Sequence, residues 1–448
     1  MSLSVEFTSL IHSIGQQKLR AETVQAVKDR CIDYLGATAG GVAKGALASK
    51  LLPGAPSEGE CSVIGTDRRA SCADAALLNG VTGHALELDD GHRRGYGHPA
   101  VVTFSPLFPL AEKLHSSGAD FIAAVTAAYE AYCRMGQAFN PGTLRRGYHT
   151  SGVVGCLSAA LGCASLMHLD PKKTLDTLGV AALFSSGLCI TFQSGTMLKP
   201  LNTGRASFNG VTAASMAAMG AEGAPDILEA KDGFIQAYSG QEVDESILLR
   251  PLGEPWGVET SYIKFYPSCR YTHAPIDCAL ALRDKVQLDE IERIVITTYP
   301  TALYLAGKSD LPTDSAGSRF NIGFAAALAL VKGQPSIADF SAEMAQDPRI
   351  QAAFRKIQFV EDPAYDSAVN NVRGAAMDIV TARGTFSVRV PLPVGEPENP
   401  APKDRYAAKF HDLASSVWDE ARRQDILAAI DRLEQIKDMN DLTMLLTK

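Results

Sequence analysis

A surplus of basic charge, paired cysteines, a nucleotide loop and a membrane-length apolar run are all missing from this chain of 448 residues. Its 42 Lys and Arg against 50 Asp and Glu leave a formal net charge of −8, so there is no electrostatic case for nucleic acid or an anionic membrane as partner. The nine cysteines are odd in number and scattered, with no C-x-x-C pair, which argues for free thiols in a reducing compartment and for small buried core residues. The opening "MSLSVEFTSLIHSIGQQ" has no basic stretch followed by an apolar one, so no secretory signal is expected. The most apolar stretch, 151–169, is interrupted by Ser and Gly and ends in His168, as a buried core helix would. There is no Walker A loop, no G-x-G-x-x-G after a strand, no G-x-S-x-G elbow and no H-E-x-x-H. Nucleotide cofactors and serine-hydrolase chemistry therefore have no motif to stand on, and a cytoplasmic enzyme with a small anionic substrate fits the composition.

What is present is mostly helical periodicity. "TVQAVKDRCIDYLGATAGGVA" places Val24, Val27, Cys31, Tyr34 and Leu35 at helical spacing, and Gly40-Gly41 predicts its end. Five further helical stretches follow, several built on Ala, Ser and Gly, which lets helices approach closely. After about residue 258 the pattern changes. "IERIVITTYP" is β-branched and strand-like, and "AAMDIVTARGTFSVRVPLP" alternates on either side of Arg383-Gly384, a hairpin signal. The Pro-rich "VGEPENPAPKDR" reads as a linker, and helical periodicity returns in "ILAAIDRLEQIKDMNDLTMLL". The expected fold is mainly α: a helical domain begun by residues 1–257, an inserted α+β domain at 258–395, and 396–448 returning to the helical body.

Four polar clusters sit at the ends of apolar helices, where a scaffold can aim side chains into one cleft. "ALELDDGHRRGYGHPAVV" carries Glu87, Asp89, Asp90, His92 and His98; "RRGYHTSG" carries His149. "SGTMLKPLNTGR" carries Lys199, and "YIKFYPSCRYTHAP" carries Lys264, Arg270, Tyr271 and His273. Each also has a plain reading as a solvated turn or a surface charge. Two histidines with Asp89 or Asp90 would make a two-histidine, one-carboxylate metal set, although D-x-H-x5-H matches no strong ligand spacing. Without a metal, histidines suit proton transfer near neutrality, and Lys and Arg suit carboxylates and developing negative charge.

These blocks resemble the signature of the MmgE/PrpD family. The resemblance rests on "NGVTGHALELDDGH…GHPAVVTFSPLFPLAE", "RGYHTSGVVGCLSAALG", "KPLNTGRASFNGV", "YPSCRYTHAPIDCAL", "GEPENPAPKDRYAAKF" and "VKDRCIDYLGATAGG", which span nearly the whole chain. The family contains 2-methylcitrate dehydratase, cis-aconitate decarboxylase and iminodisuccinate epimerase. The resemblance implies a helical domain made from both chain ends, an inserted α+β lid, a homodimer, and a site without metal or cofactor between domain and lid.

By motif, His98, His149 and His273 take the places of the family's histidines, Lys199 that of its K-P-L lysine, and Asp89 and Asp90 those of its acidic pair. The implied roles are proton transfer for the histidines and orientation of a histidine for Asp89 or Asp90. Lys199 and Arg270 are expected to bind carboxylates and the enolate. Glu87, His92, Lys264 and Tyr271 are further candidates for substrate contact. The chain departs from the family pattern at Glu87, where some relatives have Asp, and at Gly91, where decarboxylase-like members have Thr. One extra residue precedes His98, and Asn321 replaces a small hydroxyl residue. The expected activity is lysis of a small di- or tricarboxylate, by dehydration of a 2-methylcitrate-like hydroxy acid. Epimerisation and decarboxylation on the same scaffold are the alternatives, and non-catalytic carboxylate binding the alternative of another class.

Overall fold

The computed structural model describes residues 2–193, 197–253 and 255–448, the side chains at 192, 193, 368 and 403 excepted. Its larger core joins apolar side chains from the first 258 residues with Phe410, Trp418, Ile430 and Leu446 from the C-terminal stretch. The main helices of this body are Ala21–Lys44, Cys72–His84, Pro99–Leu114, Gly118–Phe139, Thr150–Leu166, Pro171–Phe184 and Lys199–Ala218. Small residues set their spacing. A β-carbon on Gly80 would lie 2.7 Å from Gly204 Cα, so the helices Cys72–His84 and Lys199–Ala218 cross in direct backbone contact. The crossing lies about one turn from the end of the first helix and the start of the second. It therefore brings His84 and Lys199 to the same place.

A second core gathers residues 266–379 around a four-stranded sheet. Strand Ile291–Thr298 lies between Ile357–Glu361, parallel to it, and Ala375–Thr381, antiparallel; Gly384–Val390 completes the other edge. The helices His273–Leu282 and Ile322–Lys332 pack in this second core, the latter started by Asn321, whose Oδ1 accepts from Phe324 N at 2.9 Å. A short pairing of Gly91–His92 with Ser261–Tyr262 stitches the two units together beside the polar clusters.

Three sequence expectations differ from the structure. Gly40 and Gly41 do not end their helix, which runs on to Lys44; a β-carbon on Gly41 would sit 1.9 Å from Thr82 O, so glycine here permits helix contact. The C-terminal periodic stretch is one helix, Glu420–Asp431, followed by short turns. The Pro-rich 394–405 segment is anchored, not loose: Ile263 N donates to Gly395 O at 2.9 Å, and Glu396 is wholly buried. The strand Ile357–Glu361 was not anticipated; its alternation is weak because much of it is exposed.

Candidate active site

Three long helices begin at one cavity. His98 immediately precedes the Pro99–Leu114 helix, His149 precedes Thr150–Leu166, and Lys199 is the first residue of Lys199–Ala218. Pro99 and Pro200 sit in the first turns, where a missing N–H costs nothing. Helix starts carry partial positive charge, so the point of convergence favours anions and disfavours imidazolium. The cavity, of about 60 Å³, is lined by His98, His149, Lys199, Tyr262, Arg270 and Arg373, among others. Through Tyr96, Leu144 and Leu305 it adjoins a groove of about 700 Å³. Residues 194–196 of the Lys199 cluster fall outside the described residues.

Glu87 organises the cationic side. Its backbone is left-handed, φ 57°, a conformation that costs a β-carbon residue on the order of 1 kcal/mol. Lys199 Nζ donates to Oε1, and Lys264 Nζ donates to the backbone O at 2.9 Å and to Oε2 at 3.2 Å. Burial alone would raise the Glu87 carboxyl; the two ammonium groups outweigh it and hold the group well below the usual range.

The histidines are fixed in opposite tautomers. His98 Nδ1 lies 2.8 Å from Asp90 O, which can only accept, so Nδ1 carries the hydrogen. Burial pulls this imidazole down to about 4, so at neutral pH it is uncharged and its Nε2 holds a lone pair. His149 shows the reverse. Asn202 Nδ2 donates to its Nδ1 at 3.1 Å; burial, helped by Lys199, holds the ring neutral, so the hydrogen sits on Nε2. Asp89 accepts from His84 Nδ1 at 2.8 and 2.9 Å and lies 3.3 Å from His98 Nδ1. Despite burial, His84 and His98 keep its carboxyl well below the ordinary value.

Other candidates lie further back. Asp90 is wholly buried, and its carboxylate accepts from Ala100 N and Tyr129 Oη, both at 2.9 Å. Burial pushes it up to about 7, against the pull of Arg30. It holds the start of the Pro99–Leu114 helix and, through its carbonyl, His98. His92 accepts from Gly95 N at 2.8 Å and lies 3.0 Å from Thr260 Oγ1, with no part in the cavity lining. His273 is likewise behind the cavity: Arg270 Nη1 donates to its Nδ1 at 3.0 Å, and its Nε2 faces Ser268 O at 3.3 Å. It braces Arg270, whose Nη2 donates to the buried Glu396 at 2.8 Å. Lys264 reaches Glu87 from outside the lining, whereas Tyr271 is part of the wall. Asn321 caps its helix and donates to Asp310 O at 2.8 Å.

The slot left by Gly91 is filled by Tyr262. A β-carbon there would meet Tyr262 Oη at 2.3 Å, and the ring is held by Arg270 stacked 4.2 Å from its centroid. Gly91→Thr should therefore destabilise the fold by about 1–3 kcal/mol through overpacking. Urea unfolding checks this, and the added Tyr262→Leu change should recover part of the loss.

Several site residues were not singled out from the sequence: His84, Tyr96, Tyr262, Arg373 and Glu396. His84, at the end of an apolar helix, and Glu396 stood inside blocks of the family resemblance, Tyr96 and Tyr262 inside the polar clusters, and Arg373 in neither. His84, Asp89 and His98 could also hold a metal ion, their ligand atoms lying within 4.8 Å of one another. This set is not the one expected from His92, and a metal taking the two Nδ1 atoms would displace their hydrogens from Asp89 and Asp90 O.

Comparison with known proteins adds the ancestry of this arrangement. The MmgE/PrpD N-terminal domain matches residues 5–246 and the MmgE/PrpD C-terminal domain matches residues 266–435. The chain is 28% identical over 413 residues to a cis-aconitate decarboxylase of Aspergillus terreus, covering 86% of this chain and 84% of that one. Against the Homo sapiens cis-aconitate decarboxylase it is 24% identical over 465 residues, 99% and 94% of the two chains. Against a 2-methylcitrate dehydratase of Salmonella typhimurium it is 29% identical over 170 residues, 36% and 34% of the two chains.

Proposed function

We propose, from the premise that this chain belongs to the MmgE/PrpD family, that it is a lyase dehydrating a small hydroxy di- or tricarboxylate through an enolate next to a carboxylate. One observation carries the reading: a histidine with a lone pair on Nε2 and a histidine with hydrogen on Nε2 line the same cavity. Dehydration needs that pair. His98 Nε2 removes the proton next to the carboxylate, Lys199 and the three helix starts hold the enolate charge, and His149 Nε2–H protonates the departing hydroxyl. The C–H bond breaks, the alkene forms, and water leaves with the proton from His149. Preorganised charge and a positioned base each supply several orders of magnitude. Asp90, through its backbone carbonyl, orients His98, and the Asp89 carboxylate orients His84.

A second reading, decarboxylation of a cis-aconitate-like acid, is favoured by the relatives that match along most of the chain. It asks only for an acid to protonate the carbanion left by carbon dioxide. Incubation with 2-methylcitrate, citrate, cis-aconitate and iminodisuccinate in deuterated water separates the readings. New ultraviolet absorbance from a double bond is expected with the hydroxy acids; carbon dioxide release would transfer the assignment to decarboxylation. Deuterium exchange without an alkene would transfer it to epimerisation.

The pH profile tests the base. His98 acts only when unprotonated, and its lowered affinity for protons keeps it so well below 6.5. The acid limb of kcat/KM should fall near pH 4 in the free enzyme and not near the 6.5 of an exposed imidazole. A limb near 6.5 would assign the base to another group.

A further inference from the structure

We propose that Arg373, on the α+β side of the cavity, binds a carboxylate of the substrate opposite Lys199. The inference rests on the reading above for the nature of the substrate; the geometry stands by itself. Arg373 is 5% exposed and lines the cavity with His98, His149 and Lys199.

Four other cations at the site have acidic partners. Lys199 and Lys264 share Glu87, and Arg93 and Arg270 share Glu396, Arg93 taking Glu398 as well. Among the described residues no acidic side chain pairs with Arg373, and one hydrogen bond is made by it there, from Nη2 to Arg93 O at 2.5 Å. Its guanidinium otherwise meets ring faces, Tyr96 at 5.1 Å and Tyr271 at 5.6 Å. Such faces return about 0.5–2 kcal/mol, whereas burying a lone charge costs several kcal/mol even after relaxation. A carboxylate in the cavity closes that gap, and the planar fork of N–H groups suits it in a bidentate pose.

The side chain is held ready for such a partner. Asn371, left-handed at φ 55°, accepts from Arg94 Nε at 2.9 Å and Arg93 Nε at 3.3 Å. Gly374 follows, and a β-carbon there would lie 2.6 Å from Val390 O. The loop that presents Arg373 is therefore locked on both sides, with most of the guanidinium donors left over. A dicarboxylate held between Lys199 and Arg373 would bridge the helical body and the α+β unit.

Tricarballylate, a tricarboxylate with no hydroxyl to eliminate, is the probe, and isothermal titration the readout. Arg373→Met should weaken its binding by about 100-fold, as for the loss of one partner of a buried charge pair. Arg373→Lys, which keeps the charge and loses the fork, should weaken it less. Without ligand, Arg373→Met should unfold at the same urea concentration as the parent or a higher one, since an unpaired buried charge has been removed. A cation that serves only the fold gives the opposite pattern, a lower midpoint and unchanged binding, and that result overturns the proposal. Should Arg373→Met fail to fold, parental affinity in Arg373→Lys and Arg373→Gln overturns it equally. If the parent protein itself binds neither tricarballylate nor citrate, the carboxylate reading of the whole site fails. If the parent binds and the variants bind as well as it does, the role of Arg373 alone fails.

Discussion

His98→Asn should lower kcat by about a thousandfold while leaving the unfolding midpoint close to that of the parent. The choice of asparagine separates the two things this residue does. Its Nδ2–H can replace the hydrogen that His98 Nδ1 places 2.8 Å from Asp90 O, so the turn before the Pro99–Leu114 helix keeps its bond. What is lost is the lone pair on Nε2. Steady-state rates with saturating substrate, read beside urea unfolding, distinguish chemistry from folding. Solvent deuterium should also cease to enter the substrate, because proton removal precedes every later step. A variant keeping a tenth or more of the parental kcat would remove His98 from the role of base.

Glu396→Gln should cost about 3–5 kcal/mol of stability, the second large effect expected here. Glu396 has no exposed surface, and its two oxygens accept from Arg93 Nη1 and Arg270 Nη2, each at 2.8 Å. A neutral amide would leave two guanidiniums close together with their shared counter-charge gone. Arg93 would keep Glu398, which is half exposed and screened, so it offers little in return. Urea unfolding of Glu396→Gln, Arg270→Gln and the double variant forms a cycle that isolates the pair. A single-variant loss below 1 kcal/mol would mean that the buried network relaxes around the amide. Arg270 also stacks on Tyr262, a wall of the cavity, so KM should rise along with the loss of stability.

His98, His149 and Lys199 were legible in the sequence because each is announced locally. Each stands in a polar cluster at the end of an apolar stretch, in Gly-, Ser- or Thr-containing surroundings. The same blocks carried the family resemblance, and family models that cover both halves of the chain agree with it. His92 looked suitable for substrate contact from its motif, and His273 equally suitable for proton transfer. Only the fold turns the first toward Thr260 and the second toward Arg270 and Ser268, because which way a ring faces depends on segments far along the chain. Glu396 was hidden for a related reason. An acidic residue between prolines reads as solvated linker until two arginines from elsewhere surround it.

Composition and periodicity by themselves determined that the chain is mainly helical, carries an α+β portion in its second half, and aims polar groups from helix ends. Those properties follow from the spacing of apolar residues and from caps and prolines, which act over a few residues. Tertiary structure alone decided which histidine holds a lone pair and which a hydrogen, which cations are already neutralised, and that Arg373 stands in the cavity with no acidic partner among the described residues. Tautomers and counter-ions are set by atoms that meet across hundreds of residues, and no local pattern of sequence encodes that meeting.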